Sequence, residues 1–275
     1  MKNLPTTCFI SHSYRDKDAL TKLLATIPSH VKPVIFPPIR VPPEQMVSAD
    51  LIGKILECAG LVYVEGGMSA ESFWVAFERE YATLAQKPVF AFDPGTSRFR
   101  PDKTPPVKPS VFSIWSAGDL RIVQETLLFL RRERYFDLAD APGDMIPGPM
   151  WRQQVTGVLG RRLARGRYAV LFWSANAARD DFILKELRAA NAQGETFDGV
   201  VVACLDATPL NILRRTAPRL LNRKPLRLYK RRPASKGRSA TIPSPLGALN
   251  QNRLDDLIVR LYWLIFQKTG KTGAH

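Results

Sequence analysis

With 275 residues the chain has room for one large domain or for two of about 100–150 residues each. Its composition, 45% hydrophobic and 24% charged, is that of a globular protein with a sizeable core, and no apolar run approaches the roughly 18 residues that cross a bilayer, which excludes a membrane-spanning helix. The net charge of +15 is uneven: residues 1–108 hold 13 Lys/Arg against 11 Asp/Glu, so nearly all of the excess lies in the remainder.

Residues 7–10 (TCFI) predict a short strand that ends at the polar turn SHSYRD. An amphipathic helix follows, with Leu20, Leu23, Leu24 and Ile27 on one face, closed by Pro28. Residues 34–36 read as a second strand, and Pro37, Pro38, Pro42 and Pro43 then force an extended loop. A helix over 46–58 leads to a buried strand at 61–64, a turn at Glu65-Gly66-Gly67, a helix over 69–85 and a strand at 89–92. Strands without polar breaks, alternating with helices, predict a doubly wound parallel sheet.

Residues 94–110, rich in Pro, Lys, Arg and Ser, read as a linker, after which the order restarts. Strands are expected at 111–115, 135–138, 168–173 and 200–205, and helices at 119–132, 151–163 and 180–193. A Pro/Gly loop (APGDMIPGP) again follows the second strand. The segments LVYV and AVLF lie 108 residues apart, as do Glu78 and Glu186 in the helices behind them. Shared order, loop chemistry and offset favour an internal duplication, with domains at 1–105 and 106–275; the alternative is a single larger α/β sheet. The last element is a helix over 254–266 with a broad apolar face, expected to pack on the second domain.

Residues 211–240 carry eleven Lys/Arg and no acid. Such a run suits phosphate or nucleic acid, but few aromatics and no nucleic-acid motif accompany it, so a solvated loop is the expected reading, with a candidate short strand at Leu226 to Tyr229. Cys8, Cys58 and Cys204 are far apart and each sits in an apolar segment, which predicts buried thiols in a reducing cytoplasm. The start, MKNLPTTCFISHS, lacks a long apolar stretch, so no secretory signal is expected. Three histidines without His/Cys spacing predict no metal site.

Ligands of parallel α/β sheets bind beyond the carboxyl ends of the strands. In the first domain SHSYRD, the Pro-rich loop and EGGMSAES end there. Trp74 and Glu78 are four apart on one helix face, and Ser72 lies in the first turn. An indole stacks on a flat, even cationic, ring, and a carboxylate stabilises an oxocarbenium-like state as a glycosidic bond breaks. Backbone amides at Gly66-Gly67 suit a phosphate. The same pattern also fits Trp74 in the core and Glu78 as a solvated partner of Arg79 or Lys87. Glu80 is the rival carboxylate, turned about 200° away on the helix.

The segments CFISHSYRD, Cys58 to Val64 and Ser72-x-Trp74-x-x-x-Glu78 resemble the first strand and loop, the third strand and the S-x-W-C-x-x-E motif of NAD-cleaving bacterial TIR (Toll/interleukin-1 receptor) domains, with Val75 where Cys is common. The resemblance covers residues 6–93, and residues 111–205 resemble the family more faintly. It implies a TIR-like, flavodoxin-like fold, present twice, and cleavage of the nicotinamide–ribose bond of NAD to ADP-ribose or a cyclic or transferred product. Glu78 takes the catalytic carboxylate's place, Trp74 and Ser72 line the nicotinamide side, and Ser11, His12 and Tyr14 border the site. Pro37 to Pro43 stand where the family has its assembly loop, and Phe182 and Glu186 stand where a second site would have its aromatic and its carboxylate. Antiphage signalling, self-association through TIR surfaces and a separate effector that reads the product are further implications. The alternative is a non-enzymatic TIR adaptor or scaffold.

Overall fold

A computed structural model describes residues 4–37, 49–106, 110–132, 137–138, 168–192, 197–229 and 251–268. The chain divides into two units, Met1–Lys108 with Ile265–His275, and Pro109–Leu264. Each unit is a five-stranded sheet with helices packed on it.

In the first unit β1 (Thr7–Ser11), β2 (Lys32–Ile35), β3 (Gly60–Val64) and β4 (Val89–Asp93) are parallel, and β5 (Arg98–Pro101) closes the edge antiparallel to β4. Their order is β2-β1-β3-β4-β5, that of flavodoxin-like doubly wound sheets. Strand alternation sorts the two faces. Cys8 and Ile10 join Val62, Val64, Phe90 and Phe92 in one cluster with Leu23 of α1 (Lys17–Thr26). Phe9 and Ser11 therefore point to the opposite face. There α4 (Phe73–Leu84) packs on β1, β3 and β4, and α2 (Ala49–Glu57) packs beside it. Residues 38–48, which hold the rest of the expected Pro-rich loop after Pro37 and the start of the helix behind it, lie outside the described residues.

Two departures from expectation have local causes. The single helix predicted over 69–85 is broken into α3 (Gly67–Glu71) and α4. Ser72 between them is extended, at φ −77° and ψ 120°, and its Oγ accepts a hydrogen bond from the Val75 amide at 3.5 Å, so it caps α4. The stretch expected to be linker contains β5, paired to β4 through a hairpin. Asp93 shapes that turn: its Oδ1 accepts from the Gly95 amide at 2.8 Å and its Oδ2 from Thr96 Oγ1 at 2.7 Å, while Ser97 takes φ 53°.

In the second unit β6 (Ser110–Ile114), β7 (Asp137–Leu138), β8 (Tyr168–Trp173), β9 (Val200–Cys204) and β10 (Leu226–Arg227) are all parallel to their neighbours. The order is β7-β6-β8-β9-β10. Phe112, Ala169, Leu171, Trp173, Val200 and Val202 form one core with Ile183, Leu184 and Leu187 of α6 (Asp181–Ala192). The helix α5 (Leu120–Arg132) follows β6, and the long α8 (Gln251–Lys268) is buried along most of 254–266. The helix expected at 151–163 lies outside the described residues.

The basic stretch departs from a solvated loop over its described part. α7 (Asn211–Thr216), a 3₁₀ turn at Pro218–Leu221 and β10 occupy it, and Leu213, Ala217, Leu220, Leu226 and Leu228 are buried. Leucines interleaved with the arginines anchor the backbone while the charged ends stay at the surface. Residues 230–240 lie outside the described residues. Among the described residues no helix is long and apolar enough to cross a membrane.

Candidate functional site

In each sheet the chain leaves the first strand in one direction and the third in the other, so a crevice opens between their carboxyl ends. In the first unit that crevice lies between the loops after β1 and β3. Gly66 and Gly67, at φ 79° and 56°, let the chain turn from β3 into α3, a backbone shape that side chains resist. Asp16, from the loop after β1, reaches across. Its Oδ2 accepts from the Ser69 amide and from Ser69 Oγ, both at 2.6 Å, and its Oδ1 accepts from the Met68 amide at 3.2 Å. Ser69 Oγ in turn accepts from the Ser13 amide at 2.9 Å. This clasp ties the two loops together.

Beneath the clasp, Ser11 Oγ donates to Glu78 Oε2 at 2.5 Å. Ser11 is fully buried and Glu78 is 5% exposed. Burial pushes the Glu78 carboxyl up to about 8, against the opposing pull of the Ser11 hydroxyl. The group is therefore mostly a neutral acid at pH 7. The solvated alternative fails for Glu78, because its expected partners are engaged elsewhere. Arg79 pairs with Asp102 at 2.9 Å, and Lys87 Nζ donates to the carbonyls of Leu56 and Cys58. Glu80 is buried as well.

The other residues singled out in the sequence are dispersed. Ser72 is the cap of α4. Trp74 is half-buried and lies edge-on to Phe73 at 5.0 Å and to Phe77 at 6.3 Å between ring centroids, within an aromatic cluster. His12 is half-buried, and burial lowers its pKa despite the opposing Ile10 backbone and Asp16 charge. Tyr14 is 42% exposed, with Arg15 Nε donating to its hydroxyl at 3.2 Å. Of this set, only Ser11 is hydrogen-bonded to Glu78 among the described residues.

The second unit carries a similar clasp and an open crevice. Asp119, after β6, accepts from Ser174 Oγ and, at 2.8 Å, from Asn176 Nδ2, both after β8. Asp206, after β9, accepts from the Ala175 amide at 3.0 Å, so the loop after β8 is held from both sides. Burial raises the Asp119 pKa; Ser174 and Asn176 oppose this, and the nearby Asp206 and Asp180 add to it. Gly118 sits against Asn176, where an added Cβ would stand 2.8 Å from the amide group. Beside the clasp lies a cleft of about 400 Å³ lined by Ser116, Gly118, Asn176, Arg179, Asp180, Asp181 and Phe182. Sequence reasoning applied the crevice rule to the first sheet only and so missed Ser116, Gly118 and Arg179; the same rule on the second sheet finds them.

Glu186 is buried at 6% exposure in α6, 108 residues after Glu78. Ser11 registers with Tyr63 in β3, and Ile114 registers with Leu171 in β8. Tyr63 and Leu171 are also 108 apart, so an isoleucine stands in the second sheet where the first has Ser11. Among the described residues no group of three or more His, Cys, Asp or Glu side chains is placed to hold a metal ion.

Comparison with known proteins returns no matching family model and no matching curated protein. Two solved structures are similar in part. One is an ABC sugar transporter subunit from Rhodobacter sphaeroides 2.4.1, at 13% identity over 98% of this chain and 94% of that one, with a TM-score of 0.26. The other is an ABC transporter solute binding protein from Agrobacterium vitis with bound allitol, at 13% identity over 98% and 92%, with a TM-score of 0.25. None of these findings is a TIR-domain protein, and the resemblance drawn from the sequence is overturned. With it fall NAD cleavage and the enzyme assignment, antiphage signalling, NAD and TIR-surface self-association as partners, the adaptor alternative and the cytoplasmic location. The physical reason lies in the motifs. A polar turn after a first strand and a serine-capped amphipathic helix after a third are what parallel α/β sheets need in general, so FISHS and S-x-W-x-x-x-E specify the local fold more than the chemistry.

Proposed function

We propose that this chain binds a small polar molecule, and that the cleft between the carboxyl ends of β6 and β8 is its site. The observation that carries this reading is the cleft's position and lining. It lies at the switch point of a parallel sheet, where α/β folds place their ligands. Its walls offer a hydroxyl, an amide, carboxylates, a guanidinium and a phenyl ring, the mixture that orients a polar solute. Its loops are pinned by Asp119 and Asp206, so binding requires little ordering.

In this reading the two units are duplicates that have diverged. Support comes from the shared strand order, the aspartate clasp in each crevice, and the buried glutamates 108 residues apart. In the first unit Ser11 and Glu78 brace β1 against α4, Ser72 and Trp74 fix the start of α4, and His12 and Tyr14 flank a crevice that its own side chains cross.

Thermal unfolding against millimolar monosaccharides, polyols, amino acids and small organic acids tests the proposal. A ligand at about 100 times its Kd stabilises by about 2.7 kcal/mol, a rise of several degrees for units of this size. One class should raise Tm in the wild type and leave an Asp181→Ala/Phe182→Ala variant unmoved. No rise with any class, or an equal rise in the variant, overturns the proposal.

A further inference from the structure

The second-unit cleft has seven lining residues, and most of its polar groups are already engaged. Asp180 uses both oxygens: Oδ1 accepts from the Phe182 and Ile183 amides at 3.1 and 3.3 Å, and Oδ2 accepts from Ser116 Oγ at 3.0 Å. That carboxylate caps α6 and holds Ser116 in the same act. Asn176 donates to Asp119. Gly118 contributes only backbone. Three side chains remain. Arg179 closes the 3₁₀ turn Ala177–Arg179 before α6, Asp181 is the first residue of α6, and Phe182 is the second. Arg179 and Asp181 are exposed and Phe182 is half-buried. The guanidinium and the Asp181 carboxylate pair neither with each other nor with another side chain among the described residues.

We infer that the ligand of this cleft is a zwitterion of amino-acid type, with its carboxylate on Arg179, its ammonium on Asp181 and its apolar part on the Phe182 ring. This rests on the cleft being the binding site. A guanidinium presents paired donors that match a carboxylate. A free carboxylate on the same cleft supplies the acceptor that an ammonium needs. The Phe182 ring on the same cleft offers a flat apolar face to a side chain. A neutral polyol would use neither charge, and an organic acid would meet Asp181 with like sign. The +15 of the whole chain does not set this preference, because charges beyond about 8–10 Å are screened at physiological salt.

Calorimetric titration of the full chain with each of the twenty common amino acids tests the inference, followed by the amine and the acid that each lack one charge of the best binder. The zwitterion should bind about tenfold more tightly than either analogue, the worth of one charge-assisted hydrogen bond. Arg179→Gln should erase the preference over the amine, and Asp181→Asn the preference over the acid. Both residues are exposed, so both variants should fold as the wild type does. Absence of binding by all twenty, or preferences that survive both substitutions, overturns the inference. A neutral sugar or polyol that binds, with binding lost on Phe182→Ala, overturns it while the cleft remains the site. Failure of every solute class overturns both.

Discussion

Glu78 carries a titratable proton in the core, and its consequence for stability has a definite sign. The carboxyl stands at about 8 in the folded chain against an ordinary value of 4.5, because burial penalises its charged form. Between those values the unfolded chain gives up a proton that the folded chain keeps, so stability falls as pH rises through the window and levels off above about 8. Glu78→Gln keeps the shape and removes the titration. Denaturant unfolding from pH 5 to 8 should show a wild type that loses about 1.4 kcal/mol per pH unit mid-window relative to the variant. Parallel curves for the two proteins would contradict the burial. Both ends of the Ser11–Glu78 bond stood out in the sequence, one at a strand end and one on a helix. Their meeting was not legible, because it spans 67 residues and depends on which strand face α4 covers. The protonation of Glu78 was not legible for the same reason: a buried neutral acid and a poised anion look alike in one letter.

Elements were more legible than their ends. Apolar runs named β1, β3, β4, β8 and β9, since both faces of a parallel sheet are covered and the strands read as unbroken hydrophobic segments. β5 was hidden because an edge strand buries little, and RFRP offers only Phe99 to the core with a proline at the end. The break at Ser72 was hidden because a capping serine and a first-turn serine differ only in backbone angle. The clasps were hidden because they join loops distant in sequence. Their contribution can be measured in the second unit. Asp119→Ala leaves Ser174 Oγ and Asn176 Nδ2 without their acceptor, a loss of about 1–3 kcal/mol. The loop it frees forms one wall of the cleft, so affinity for the bound solute should fall together with stability. A variant as stable as the wild type, with unchanged affinity, would show that the clasp does not hold that wall.

At the scale of the whole chain, the alternation of strands and helices was enough to read parallel sheets with packed helices. The order second-first-third-fourth-fifth in both sheets is one of the few that short, uncrossed connections allow. The charge asymmetry was also plain, but its meaning was not. Leucines within 211–229 fold that stretch into the second unit, which a count of arginines cannot reveal. The cleft of the second unit followed from topology once both sheets were in view, whereas the short motifs drew attention chiefly to the first unit. The most direct test of the account is backbone amide NMR of the full chain during titration with the solute class that raises Tm. The account predicts saturable shifts centred on residues 116–118 and 176–182. Shifts centred instead on the loops of the first unit around Ser13 and Ser69, with 176–182 unmoved, would contradict it.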